Sequence, residues 1–145
     1  LSKGLGAPVG SIIAGDGEFI SKARKWRKRL GGGMRQAGVI AAPGLIALTK
    51  MKDRLGEDQW NARVLAEAIE SIPGMNLARQ PETNIVVADV AGLNITSDVF
   101  VERLRSEGVI AGTFGPTFVR FVTHYDVNED QIQEAIEAIT TAARQ

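Results

Sequence analysis

The sequence predicts an α/β architecture in two parts, the end of a larger domain over residues 1–55 and a small α/β domain over residues 56–145. Three observations carry that expectation. From about residue 57 onward, short strand-like segments alternate with amphipathic helical ones. The helical segment Ala37 to Leu48 is instead apolar on every side, which requires walls that the rest of the chain does not supply. Charge divides at the same place: residues 1–55 hold 11 basic and 3 acidic side chains, residues 56–145 hold 6 and 14, so a net charge of zero conceals +8 and −8. With 145 residues, 44% of them hydrophobic, the chain can close one ordinary core and is too short for two full domains. The absence of cysteine excludes disulfides and thiolate metal sites. The longest apolar run has 12 residues with Pro43-Gly44 inside it, against the roughly 20 needed to cross a bilayer. We therefore expect a soluble, cytoplasmic protein without a signal peptide. The opening Leu1-Ser2-Lys3, which has no initiator Met, leads us to expect a piece of a longer chain.

Taken in order, Lys3 to Ser11 packs glycines and Pro8 into a tight loop that feeds Ile12-Ile13-Ala14, a candidate buried strand. Asp16 is a candidate N-cap for a helix to about Leu30, whose stripe Phe19, Ala23, Trp26, Leu30 would be its buried face. Gly31-Gly32-Gly33 ends it. A second helix is expected from about Met34, kinked at Pro43. After Gly56, Trp60, Val64, Leu65, Ala68, Ile69 and Ile72 mark an amphipathic helix that stops at Pro73-Gly74, with Trp60 in the core. Asn84 to Val90 reads as a strand, and Thr96 or Ser97 caps a helix to Glu107. Val109 to Ala111 and Thr117 to Thr123 read as two further strands, and Asn128 caps a last helix with Ile132, Ile136 and Ile139 inward.

Few residues carry chemistry. A lysine amine attacks a carbonyl only when unprotonated, and Lys3, held in a glycine-rich loop, is a candidate for Schiff-base formation. Six of the eight residues Lys22 to Arg29 are cations, which suggests an anionic partner. On a helix, however, they surround every side except the apolar stripe and form no single face along which a phosphate backbone could run. Arg35 follows three glycines where a helix start would favour an anion. Arg120 lies in the apolar strand Phe118 to Val122, on the side opposite Val119 and Phe121, and is expected to be buried with an anionic partner. An acidic residue of the same half is one candidate for that partner. His124, the one histidine, is expected to be a structural hydrogen-bonder.

The strings Ser2-Lys3-Gly4-Leu5-Gly6-Ala7-Pro8-Val9-Gly10-Ser11, Arg24 to Lys28, Gly31 to Gly38 and Val119-Arg120-Phe121-Val122-Thr123-His124 closely resemble the low-specificity L-threonine aldolases. That family consists of pyridoxal-phosphate enzymes of the aspartate-aminotransferase-like fold, fold type I. The resemblance implies that Lys3 links covalently to the cofactor and that Lys28 and Arg35 are active-site cations near its phosphate, reaching into a neighbouring subunit's site. It also implies that Arg120 grips the substrate α-carboxylate. The expected activity is retro-aldol cleavage of L-threonine or L-allo-threonine to glycine and an aldehyde. The expected partners are the amino-acid substrate, the N-terminal portion of the same enzyme and further copies in a homotetramer, with no nucleic acid and no membrane. The aromatic ring stacked on the cofactor and the carboxylate facing its pyridine nitrogen belong to that N-terminal portion. Two alternatives stay open at this point. One is a β-eliminating lyase of the same fold, and the other is a non-catalytic module whose basic helix binds nucleic acid or an acidic protein.

Overall fold

A computed structural model describes residues 1–145. The chain divides into two compact units, Leu1–Arg54 and Leu55–Gln145. No helix is long and apolar enough to cross a membrane.

The first unit holds helices α1 (Gly17–Arg29) and α2 (Gly38–Thr49), with single 3-10 turns at Lys3–Leu5 and Met51–Arg54. Asp16 caps α1 by accepting from the Phe19 N–H at 2.8 Å. The helix closes in a Schellman arrangement: Gly31, left-handed at φ 79°, donates to the Lys28 carbonyl, and Gly32 donates to that of Arg27. The second helix starts at Gly38, not near Met34, because Gln36 stands at φ 49°, where a right-handed helix cannot pass. It continues through Pro43. Ile12-Ile13-Ala14 is not a strand. Its backbone has no partner strand, without which an extended segment cannot satisfy its N–H and C=O groups, and both isoleucines are exposed. The stripe of α1 is likewise open, with Phe19, Trp26 and Leu30 at 49%, 57% and 80% exposure. On α2 only Gly44 and Ala47 are buried.

The second unit is a sheet covered on one face by three helices. Its elements are α3 (Leu55–Glu70), β1 (Asn76–Leu77), β2 (Ile85–Asp89), α4 (Ser97–Ser106), β3 (Gly112–Thr113), β4 (Phe118–Val122) and α5 (Glu129–Arg144). The strand order is β1-β2-β4-β3 with every pairing antiparallel. Val86 and Ala88 of β2 and Val119 and Phe121 of β4 point into a core shared with Ala62, Leu65 and Ile69 of α3, Phe100 and Leu104 of α4, and Ile139 of α5. Trp60 is not in that core. The buried residues of α3 recur at Asp58, Asn61, Ala62, Leu65, Ala66 and Ile69, and Trp60 falls beside this face, 57% exposed. The expected strand Val109 to Ala111 is displaced to Gly112–Thr113, because Val109 is committed to ending α4: its N–H donates to the Leu104 carbonyl at 2.8 Å. Strand β1 had no counterpart in the sequence reading.

Helix α5 begins with a full capping box. Asn128 accepts from the Gln131 N–H at 2.9 Å, and the Gln131 side chain accepts from the Asn128 N–H at 3.0 Å. Replacing Asn128 with alanine should lower stability by about 1 kcal/mol, read as a reduced urea midpoint at unchanged slope. An unshifted midpoint would mean that water replaces the cap without cost.

Candidate active site

Lys3, Lys28 and Arg35 belong to the first unit and Arg120 to the second. Lys3 opens the first 3-10 turn, which closes when the Gly6 N–H donates to the Lys3 carbonyl at 2.8 Å. Two bonds of wider sequence span draw the loop together: the Leu1 amino group donates to the Gly10 carbonyl at 2.8 Å, and the Ala7 N–H donates to the Leu1 carbonyl at 3.1 Å. Leu1 then fits against α2 where Gly44 has no side chain: a Cβ there would lie 3.1 Å from its Cδ1. Lys3 itself stands at φ 64°, a conformation that costs a residue with a side chain about 1 to 2 kcal/mol. Its side chain is exposed and has no hydrogen bond or ion pair within the chain. The loop thus holds a strained lysine outward, its side chain without a partner in the chain.

Helix α1 carries the basic run. Lys22 is tied to Glu18 at 2.6 Å, and the Arg29 guanidinium lies over Trp26, 5.3 Å from the ring centroid. The Schellman turn folds the glycine run back over the helix end, so that a Cβ at Gly33 would meet Lys28 Cδ at 3.2 Å and its Nζ at 3.7 Å. Lys28 and Gly33 are thereby brought together, with the ammonium unpaired. Arg35 is exposed and precedes the first residue of α2 by three positions, so it is not at the helix start that the glycines suggested.

Arg120 does lie on the side of β4 opposite Val119 and Phe121, as alternation requires, but that side is uncovered and Arg120 is exposed, not buried. No acidic side chain pairs with it. Its neighbours on the open face are Val87 across the β2 ladder and Gly112 across the β3 ladder, and Phe118 and Val122 on its own strand. A lone guanidinium among apolar groups can receive a carboxylate without displacing an internal partner. The strand continues into an anchored end. Thr123 is buried and donates to the Asp58 carbonyl at 2.5 Å, while its own N–H bonds the Asn84 carbonyl at 3.0 Å. His124 is exposed, and its Nδ1 accepts from the Asp126 N–H at 3.3 Å. The same nitrogen stands 3.4 Å from Asp126 Oδ2.

A cleft of about 470 Å³ in the second unit is lined by Val122, His124, Glu107 and Glu134 among others, with no lysine or arginine. It therefore does not gather the groups that would hold an amino-acid carboxylate. The sequence reading missed two residues that shape the strand around Arg120, the buried Thr123 and the strand glycine Gly112. A hydroxyl inside an otherwise apolar strand was the available signal for the first, since a buried hydroxyl needs a partner.

Comparison with known proteins places the chain. Low-specificity L-threonine aldolase 1 of Arabidopsis thaliana is 35% identical over 144 residues, covering 98% of this chain and 40% of that protein. Low specificity L-threonine aldolase of Escherichia coli (strain K12) is 40% identical over 134 residues, 92% of this chain and 38% of that one. The chain thus spans about 40% of the length of these curated relatives. Among solved structures, a protein of Listeria monocytogenes EGD-E assigned as an L-allo-threonine aldolase superposes with a TM-score of 0.76 at 19% identity, over 97% of this chain and 42% of that one. The fold is accordingly that of the fold-type I enzymes, as expected from the sequence. The beta-eliminating lyase family model matches residues 1–92, more than half of the sequence and including the whole lysine loop, and the chain belongs to that family.

Proposed function

We propose that the chain is the C-terminal portion of a pyridoxal-phosphate-dependent L-threonine aldolase, a lyase of amino-acid metabolism. The observation that carries this reading is 35–40% identity to low-specificity L-threonine aldolases across 92–98% of the chain. The residues present suit the cofactor: a free, outward-held amine at Lys3 for its aldehyde carbon, and unpaired cations at Lys28 and Arg35 for its phosphate. Pyridoxal phosphate, when bound, supplies a sink for the electron pair of the breaking Cα–Cβ bond. Lys3 would hold the cofactor through its side-chain amine. Arg120 binds the α-carboxylate in a two-pronged pair and so fixes the orientation of the bonds at Cα. The net conversion would be L-threonine to glycine and acetaldehyde.

A β-eliminating lyase is the second reading, favoured by the description of the matching family. The assay that separates them is product analysis of the full-length protein with L-threonine. Glycine with acetaldehyde supports the aldolase, whereas 2-oxobutanoate with ammonia overturns it in favour of elimination.

The reading extends to a cytoplasmic homotetramer in which further polypeptide covers the open apolar groups of the first unit. Val39, Leu45 and Ile46 on α2 are 71%, 64% and 51% exposed, and they adjoin no polar face that would keep α2 in water. Residues 1–145 expressed alone should bind a hydrophobic dye strongly. Co-expression with the preceding part of the enzyme should remove the dye signal and bring in cofactor absorbance and threonine cleavage. A compact, dye-negative monomer in sedimentation would contradict this.

A further inference from the structure

We propose that Gly112 is a positioning residue for Arg120, its missing side chain forming the lane in which the guanidinium lies on the way to the substrate carboxylate. The proposal rests on the carboxylate-binding role assigned to Arg120 above. Antiparallel pairing sets Arg120 directly between Val87 on β2 and Gly112 on β3, all three on the open face of the sheet. A glycine in a strand is unfavourable and usually marks a bulge, a left-handed backbone or a close approach. There is no bulge, because Gly112 pairs Arg120, Thr113 pairs Val119, and the Phe114 N–H bonds the Phe118 carbonyl at 2.7 Å, one residue to one. Nor is the backbone left-handed, since the glycines with positive φ lie elsewhere. What remains is the neighbouring side chain toward which a Cβ would point. A Cβ at residue 112 would have one heavy atom within 4 Å, and that atom is Arg120 Nη2 at 3.9 Å. A Cβ there would be in ordinary van der Waals contact with the guanidinium and with no other group, so it is the atoms beyond Cβ that would crowd it.

A methyl group at 112 would just touch the guanidinium, whereas each atom beyond Cβ extends about 1.5 Å further and takes part of its lane. Arginine is long and flexible, and binds a planar carboxylate well only when its fork is already aimed. A larger residue at 112 should then weaken carboxylate binding without touching the cofactor.

The test uses the full-length holoenzyme with Gly112→Ala, Gly112→Val and Gly112→Ser, each also in an Arg120→Gln background. Valine favours strands, so the fold should tolerate it. Should that variant be unstable, the serine variant carries the same comparison. Gly112→Val should raise the KM for L-threonine about tenfold at nearly unchanged kcat, with Gly112→Ala below it. Cofactor absorbance should not change, nor should affinity for 2-aminoethanol, an amine without the carboxylate. In the Arg120→Gln background the valine should have no further effect. An unchanged KM in Gly112→Val, an equal loss for 2-aminoethanol, or the same loss without Arg120 would each overturn the proposal. If Arg120→Gln itself leaves KM unchanged, the carboxylate role of Arg120 fails and this proposal falls with it. If Arg120→Gln raises KM and Gly112→Val does not, only the positioning role fails.

Discussion

Lys3→Ala in the full-length enzyme is expected to lower threonine cleavage by about 1,000-fold or more, because no other group supplies the covalent anchor and the transferable amine. Borohydride treatment of the wild type followed by peptide mapping should place the reduced cofactor adduct on Lys3, and the variant should give none. The loss should be purely chemical. Lys3 is exposed and makes no side-chain bond in the chain, so its truncation removes no packing. Alanine at φ 64° is as strained as lysine, so backbone strain is nearly unchanged. Lys3→Gly provides a control: it should be equally inactive yet no less stable, since glycine adopts that conformation freely. A reduced adduct on another lysine, or cleavage by Lys3→Ala near the wild-type rate, would remove Lys3 from the proposed chemistry.

What the sequence could convey follows from how local each feature is. The caps Asp16, Thr96 and Asn128 were legible because a cap bonds an N–H only two or three residues away, and all three accept as expected. The amphipathic runs that became α3 and α5 were legible because their buried positions recur every three to four residues. The strands were legible at β2 and β4, which have five residues each, and not at β1 and β3, which have two and leave no period to detect. Ile12-Ile13-Ala14 has the composition of a strand, but pairing is a property of two segments and only one was in view. Periodicity also states which face wants cover without stating whether the chain carries that cover. Hence Phe19, Trp26 and Leu30 form the expected stripe and yet stand open. The same limit applied to Arg120, whose side of the strand followed from alternation but whose exposure did not. Gly112 could not be singled out at all, because its relation to Arg120 exists only once the register of β3 on β4 is known.

Arg120→Lys is expected to lower kcat/KM for L-threonine although the charge is kept. Arg120 has no internal ion pair, so its whole hydrogen-bonding capacity is open to a ligand, and the change should leave folding and cofactor absorbance as they were. A guanidinium offers a carboxylate two parallel N–H donors in one plane, and an ammonium on a shorter stem offers one. Loss of one hydrogen bond to a charged group costs about 1.5 to 3 kcal/mol, and at about 1.4 kcal/mol per tenfold this is a loss of about 10- to 100-fold. The apolar surroundings favour the upper part of that range. Val87, Phe118 and Val122 surround the Arg120 position on this face with groups that cannot replace a lost donor, so a carboxylate set against them without its second bond is left partly unsatisfied. A carboxylate-free amine should bind the variant and the wild type alike, which separates loss of carboxylate recognition from general damage. Wild-type kinetics in Arg120→Lys, or an equal loss for the amine, would assign Arg120 to the structure of the sheet and not to the substrate.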